Sequence, residues 1–116
     1  MAKLEQFADI VLFITTANAE EAQRIAGVLV KERKAACVNI VPRVSSLFWW
    51  QNKVESAQES LLIVKSRAPV LDQIIDLVKQ HHRYDVPEII ALPIIGGNPD
   101  YLEWIGKEVK QGAGGE

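Results

Sequence analysis

Runs of apolar residues broken by short polar punctuation divide this chain into seven predicted elements. Residues 9–16, DIVLFITT, are an apolar run ending in two threonines and predict a first strand. Asn18, with Glu21 three residues on, has the pattern of a capping box and opens a helix. Ala22, Ile25, Ala26, Leu29 and Val30 form one stripe along it, and Lys31, Arg33 and Lys34 crowd its end.

The stretch 35–67 reads as one long β-hairpin. Ala36, Val38 and Ile40 share one face of its first arm, while Cys37, Asn39 and Val41 share the other. Pro42 cannot donate to a ladder, so that arm is expected at a sheet edge with a bulge. The arm runs to an aromatic tip, Phe48-Trp49-Trp50, and turns at Gln51-Asn52-Lys53. Residues 54–66 return as the third strand. Arms of this length are about twice the usual five or six residues, and a ribbon alone is marginal in water.

Pro69 stands at the start of a second helix, whose stripe is Leu71, Ile74, Ile75 and Val78 and which ends at His81-His82. A loop over 83–88 leads to a fourth strand predicted over 89–95. Gly96-Gly97 breaks that strand, and Asn98-Pro99 caps a third helix bearing Leu102, Ile105 and Val109. Residues 1–8 and 111–116 are expected to be flexible.

The order β-α-β-β-α-β plus a terminal helix is that of a single α+β, ferredoxin-like sandwich with strands one and three central. Strands one, three and four carry apolar residues on both faces. Helices cover only one of them, and a bare second face would exceed what a soluble monomer tolerates. The expectation is an oligomer clasped by the long hairpin.

Composition narrows the function. A net charge of −2 and a pI near 5.7 leave no basic footprint for nucleic acid. The longest apolar run is far short of the roughly 20 residues that span a bilayer, and no signal-peptide pattern opens the chain. One cysteine excludes an internal disulfide and fits a reducing compartment, so a cytoplasmic location is the default. No nucleophile-and-base motif and no phosphate loop is present, so a non-enzymatic role without an organic cofactor is expected.

Two constellations could carry chemistry. Cys37 with His81 and His82 offers thiolate and imidazole, a donor set suited to copper or another divalent cation. The bland alternatives are a small strand residue for Cys37 and dipole-compensating side chains at a helix end for the histidines. Lys65, in an otherwise apolar central strand, needs a partner such as Glu59 or Glu88, or a polar cleft between subunits. With Trp50 and Tyr84 these residues would bind a small anion or aromatic ligand; alternatively they form an ion pair fixing subunit register.

The segments AACVNIVP (35–42), FWW (48–50), ESLLIVKS (59–66), H-x-Y-x-V-P-E-I (82–89) and LPI-x-x-GNP-x-YL-x-W (92–104) resemble the CutA family of divalent-cation tolerance proteins. The resemblance spans about 9–109 in collinear order. It implies a homotrimer of ferredoxin-like subunits similar in architecture to PII signalling proteins. It also implies tolerance of divalent metals, copper above all, with no established reaction; the alternative is a PII-like signalling or anchoring module whose surface docks an unknown protein partner. Arg83 replaces the proline of the family's H-P-Y motif, and Thr15 replaces a cysteine that some members carry. The second departure removes a soft ligand.

Overall fold

A computed structural model describes residues 8–112. Residues 1–7 and 113–116, and with them most of the termini expected to be flexible, lie outside it. The elements are β1 (Asp9–Thr16), α1 (Ala19–Lys31), β2 (Cys37–Trp50), β3 (Lys53–Arg67), α2 (Leu71–His81), β4 (Ile89–Pro93) and α3 (Pro99–Glu108). A 3-10 turn over Ala68–Val70, with Pro69 inside it, leads into α2. The sheet is antiparallel in the order β2-β3-β1-β4, the ferredoxin-like arrangement with β1 and β3 central.

Alternation along the strands sorts residues to two faces. Ile10, Leu12, Ile14, Leu62 and Val64 lie fully buried beneath the helices. They pack with Ala22, Ile25 and Leu29 of α1, Ile74 and Val78 of α2, and Ile105 of α3. Each of the valine, leucine and isoleucine side chains contributes roughly 1.5–3 kcal/mol on leaving water. The opposite face carries three registered rows: Cys37–Lys65–Val11–Leu92, Asn39–Ile63–Phe13–Ile90 and Val41–Leu61–Thr15. Most of these residues are only half-buried among the described residues, and Ile90 and Leu92 are exposed.

Helix ends follow local chemistry. Asn18 accepts the Glu21 N–H at 2.9 Å at the start of α1. At its end Arg33 takes a positive φ of 63°, and the N–H groups of Arg33 and Lys34 close on the carbonyls of Val30 and Leu29. That is a Schellman ending with arginine where glycine is usual.

The hairpin differs from its sequence reading in one detail. Gln51 and Asn52 alone make the turn, with φ of 50° and 66°, and Lys53 pairs with Trp50 as the first residue of β3. Two left-handed residues match the twist of the arms, so a two-residue loop suffices. The bulge lies between Val41 and Val44, where Pro42 interrupts the ladder on the edge strand. The fourth strand stops at Pro93 rather than residue 95. Ile94 donates to the carbonyl of Asp9, the first residue of β1, so Ile95 has no strand left to meet and is 88% exposed.

Candidate functional site

The turn after α2 is built around a buried carboxylate. Glu21, in the first turn of α1, is 1% exposed. Its Oε1 accepts the Ala17 N–H at 2.8 Å, and its Oε2 accepts the Arg83 N–H at 2.7 Å. One side chain thus joins the start of α1 to the loop at 83–88.

His82 sits beside it with its side chain fully buried. Its Nε2 lies 2.7 Å from the Thr15 carbonyl, and its Nδ1 lies 3.0 Å from the Tyr84 N–H. A carbonyl can only accept and an amide can only donate, so these partners assign the proton to Nε2 and leave Nδ1 bare. Both ring nitrogens are therefore in use.

The loop next presents Tyr84. Its ring packs at 4.9 Å from that of His82, and its hydroxyl donates to Glu59 Oε2 at 3.0 Å. Burial pushes the hydroxyl up to about 12, aided by the hydrogen bond to Glu59 and the charges of Glu59 and Glu21, with Arg83 opposing. Its unfolded value is 10.0, so the neutral form is favoured by the fold. The stabilisation is complete below about pH 10 and lost as pH rises toward about 12. Because Tyr84 is only partly buried, solvent screens the effect and it is small. Urea denaturation at stepped alkaline pH should show a shallower fall for Tyr84→Phe than for the wild type. Equal slopes would mean that the Glu59 contact is not made in solution.

Glu59 and Tyr84 close one end of a cleft of about 800 Å³ between the hairpin and the 83–88 loop. Four of the five residues expected in a cleft, Trp50, Glu59, Tyr84 and Glu88, line it together. Lys65 does not. It stands in register with Cys37 and donates to Asn39 Oδ1. Six residues of strand separate it from Glu59, or ~20 Å. Phe48 and Glu55 line the cleft as well, and neither was marked as a site residue.

The thiol and imidazoles expected to share a metal are not brought together within one chain. Cys37 belongs to the row that meets β1 at Val11, whereas His82 is held at Thr15. Four residues along β1 amount to ~13 Å, with two strand spacings of ~5 Å each in addition. His81 ends α2, and its carbonyl accepts from Arg24 Nη2 at 3.2 Å. Among the described residues no group of three or more His, Cys, Asp and Glu side chains is placed to hold a metal ion. Cys37 has a different neighbour: burial, with the adjacent Cys37 thiol, raises the Tyr101 hydroxyl. Tyr101 falls within the GNP-x-YL-x-W segment, the only signal in the sequence that marked it.

Residues 10–108 match the family described as CutA1 divalent ion tolerance protein. The chain belongs to this family. The rice Protein CutA 1, chloroplastic, is 49% identical over 102 residues, covering 88% of this chain and 58% of the rice protein. The divalent-cation tolerance protein CutA of Thermus thermophilus is 48% identical over 95 residues, covering 82% of this chain and 92% of its own. The crystal structure of CutA1 from Oryza sativa superposes with a TM-score of 0.88 at 47% identity, over 91% of this chain and 97% of that one. A periplasmic divalent cation tolerance protein CutA from Archaeoglobus fulgidus superposes at 0.85 with 41% identity, over 88% and 99%. This chain spans little more than half the length of its plant relatives, 58% in rice and 53% in Arabidopsis thaliana. No helix among the described residues is long and apolar enough to cross a membrane.

Proposed function

We propose that this CutA-family protein is a cytoplasmic homotrimer that binds divalent metal, copper first, and acts by binding rather than catalysis. The observation that carries the reading is the family match from residue 10 to residue 108. Assembly has its own support in the apolar rows through Phe13, Ile63 and Ile90, while the number of copies rests on the family resemblance alone. In this reading Cys37 is the ligand that matters, because soft thiolate favours copper and His82 has no free nitrogen. An ion shared between subunits needs few ligands from each chain, and Cys37 on the uncovered face suits that arrangement.

The test is a copper titration of purified, reduced protein with mass followed by light scattering. One ion per chain or per interface is expected, lost in Cys37→Ser and retained in His82→Ala where the variant folds. Saturable binding that survives Cys37→Ser would mean adventitious sites and would remove the metal reading. A second reading, a PII-like module with ligand-binding clefts, is favoured by the convergence of Trp50, Glu59, Tyr84 and Glu88. The lysine expected to hold an anion there lies elsewhere, which bears on the ligand's charge.

A further inference from the structure

The sheet face turned away from the helices is apolar along its middle and carries opposite charges at its two ends. Val11, Phe13, Leu61 and Ile63 make the middle, all of them half-buried. At the end where β1 begins, Lys65 stands in the row with Cys37, Val11 and Leu92. Its ammonium donates to Asn39 Oδ1, and among the described residues no carboxylate lies within salt-bridge distance of it. Asp9, two residues before Val11 on the same face, is taken by Arg67 at 3.5 Å. At the other end stand Glu59 and Glu88. Glu59 lies six residues before Lys65 on the same face of β3, ~20 Å along the strand. It is 8% exposed, its Oε2 accepts the Tyr84 hydroxyl, and among the described residues no cation lies within salt-bridge distance of it. Glu88 immediately precedes β4, on the face of Ile90 and Leu92 by alternation, and lines the cleft with Glu59.

One chain cannot bring these charges together, because β3 is continuous from Lys53 to Arg67. A half-buried ammonium keeps part of its hydration in a single chain and loses it when the face is covered. A charge covered in that way is strongly unfavourable unless an opposite charge meets it. Two copies laid with unlike ends together meet the demand from their own residues. Laid with like ends together, they set ammonium against ammonium and carboxylate against carboxylate. We infer that this face is covered by a second copy of the chain, turned so that Lys65 of one copy enters the Glu59 end of the next. In a closed ring each copy gives one lysine and receives one, so the contact is heterologous. Rotation about the ring axis preserves height, so β3 must lie across that axis; strands along it would gather every Lys65 at one level. Trp50, Glu59, Lys65, Tyr84 and Glu88, which the sequence groups in one cleft, then come together only between copies. The inference rests on the proposed assembly and adds to it which residues meet.

The experiment is charge reversal, with mass read by light scattering and fold by circular dichroism. Lys65→Glu should give folded protein with the mass of one chain. The double variant Lys65→Glu with Glu59→Lys should regain the wild-type mass, because the pair is restored with its signs exchanged. A folded Lys65→Glu that stays assembled would overturn the pairing, as would a folded double variant that assembles no better than Lys65→Glu alone. Where the double variant does not fold, a milder cycle decides. Lys65→Met and Glu59→Gln, the second keeping an acceptor for Tyr84, should each lower the urea midpoint for dissociation. Combined, they should lower it by less than the sum, and additive losses would overturn the pairing. A wild-type protein with the mass of one chain would remove the assembly and the pairing together, whereas the other failures leave the assembly standing.

Discussion

Glu21→Ala should destabilise the fold by about 3–5 kcal/mol, the largest loss expected from any single side chain outside the apolar core. The carboxylate accepts two backbone N–H groups, from Ala17 and Arg83, while almost wholly out of water. Hydrogen bonds to a charged partner contribute roughly 1.5–3 kcal/mol each, and truncation leaves both donors without an acceptor. Glu21→Gln should lose less, because its amide retains one acceptor oxygen but turns a donor toward the second N–H. Urea denaturation of both variants checks the order. Amide hydrogen exchange adds a local readout: the Arg83 and Tyr84 amides should exchange faster in Glu21→Ala than in the wild type. Stability and exchange both unchanged would show that the loop is held by something other than this carboxylate. Because that loop carries Tyr84 and Glu88 into the cleft, the same variant should also loosen the groove.

The role of Glu21 illustrates what a sequence shows and what it withholds. Its spacing from Asn18 marks a helix start, and the cap is there. Nothing in that spacing says that its second oxygen reaches a backbone amide 62 residues away. Periodicity likewise yields the strands, the two long helices, the edge position of Pro42 and the two-faced sheet, because burial obeys the same periods. Contacts between elements behave differently. Cys37 and His82 share a chemistry but not a place, since the register puts one opposite Lys65 and the other at the far end of β1. The separation of Lys65 from Glu59 was available in principle, being six residues of one strand. The cleft's negative character emerges only when Glu55, from the hairpin arm, is set beside Glu88, from a distant loop.

Phe13→Asp should convert the proposed trimer into folded single subunits. Phe13 stands in the middle of the uncovered face, between Ile63 on β3 and Ile90 on β4. In an isolated subunit Phe13 is half-buried, so a charge there still reaches water and costs the fold some packing and strand propensity, less than it costs an assembly. In an assembly that buries the face, each copy would place an unpaired carboxylate against apolar side chains, a loss of about 3–5 kcal/mol per site. The asymmetry between those two situations makes the variant informative, since mass and fold report separately. Light scattering should give the mass of one chain while circular dichroism retains the mixed helix and strand spectrum. Ile90→Lys repeats the test from the edge strand β4, where a changed side chain disturbs fewer neighbours should Phe13→Asp fail to fold. An unchanged oligomer in both variants would place the interface elsewhere, and a wild-type protein with the mass of one chain would remove the interface altogether. Loss of assembly should carry copper binding with it if the ion is shared between subunits through Cys37.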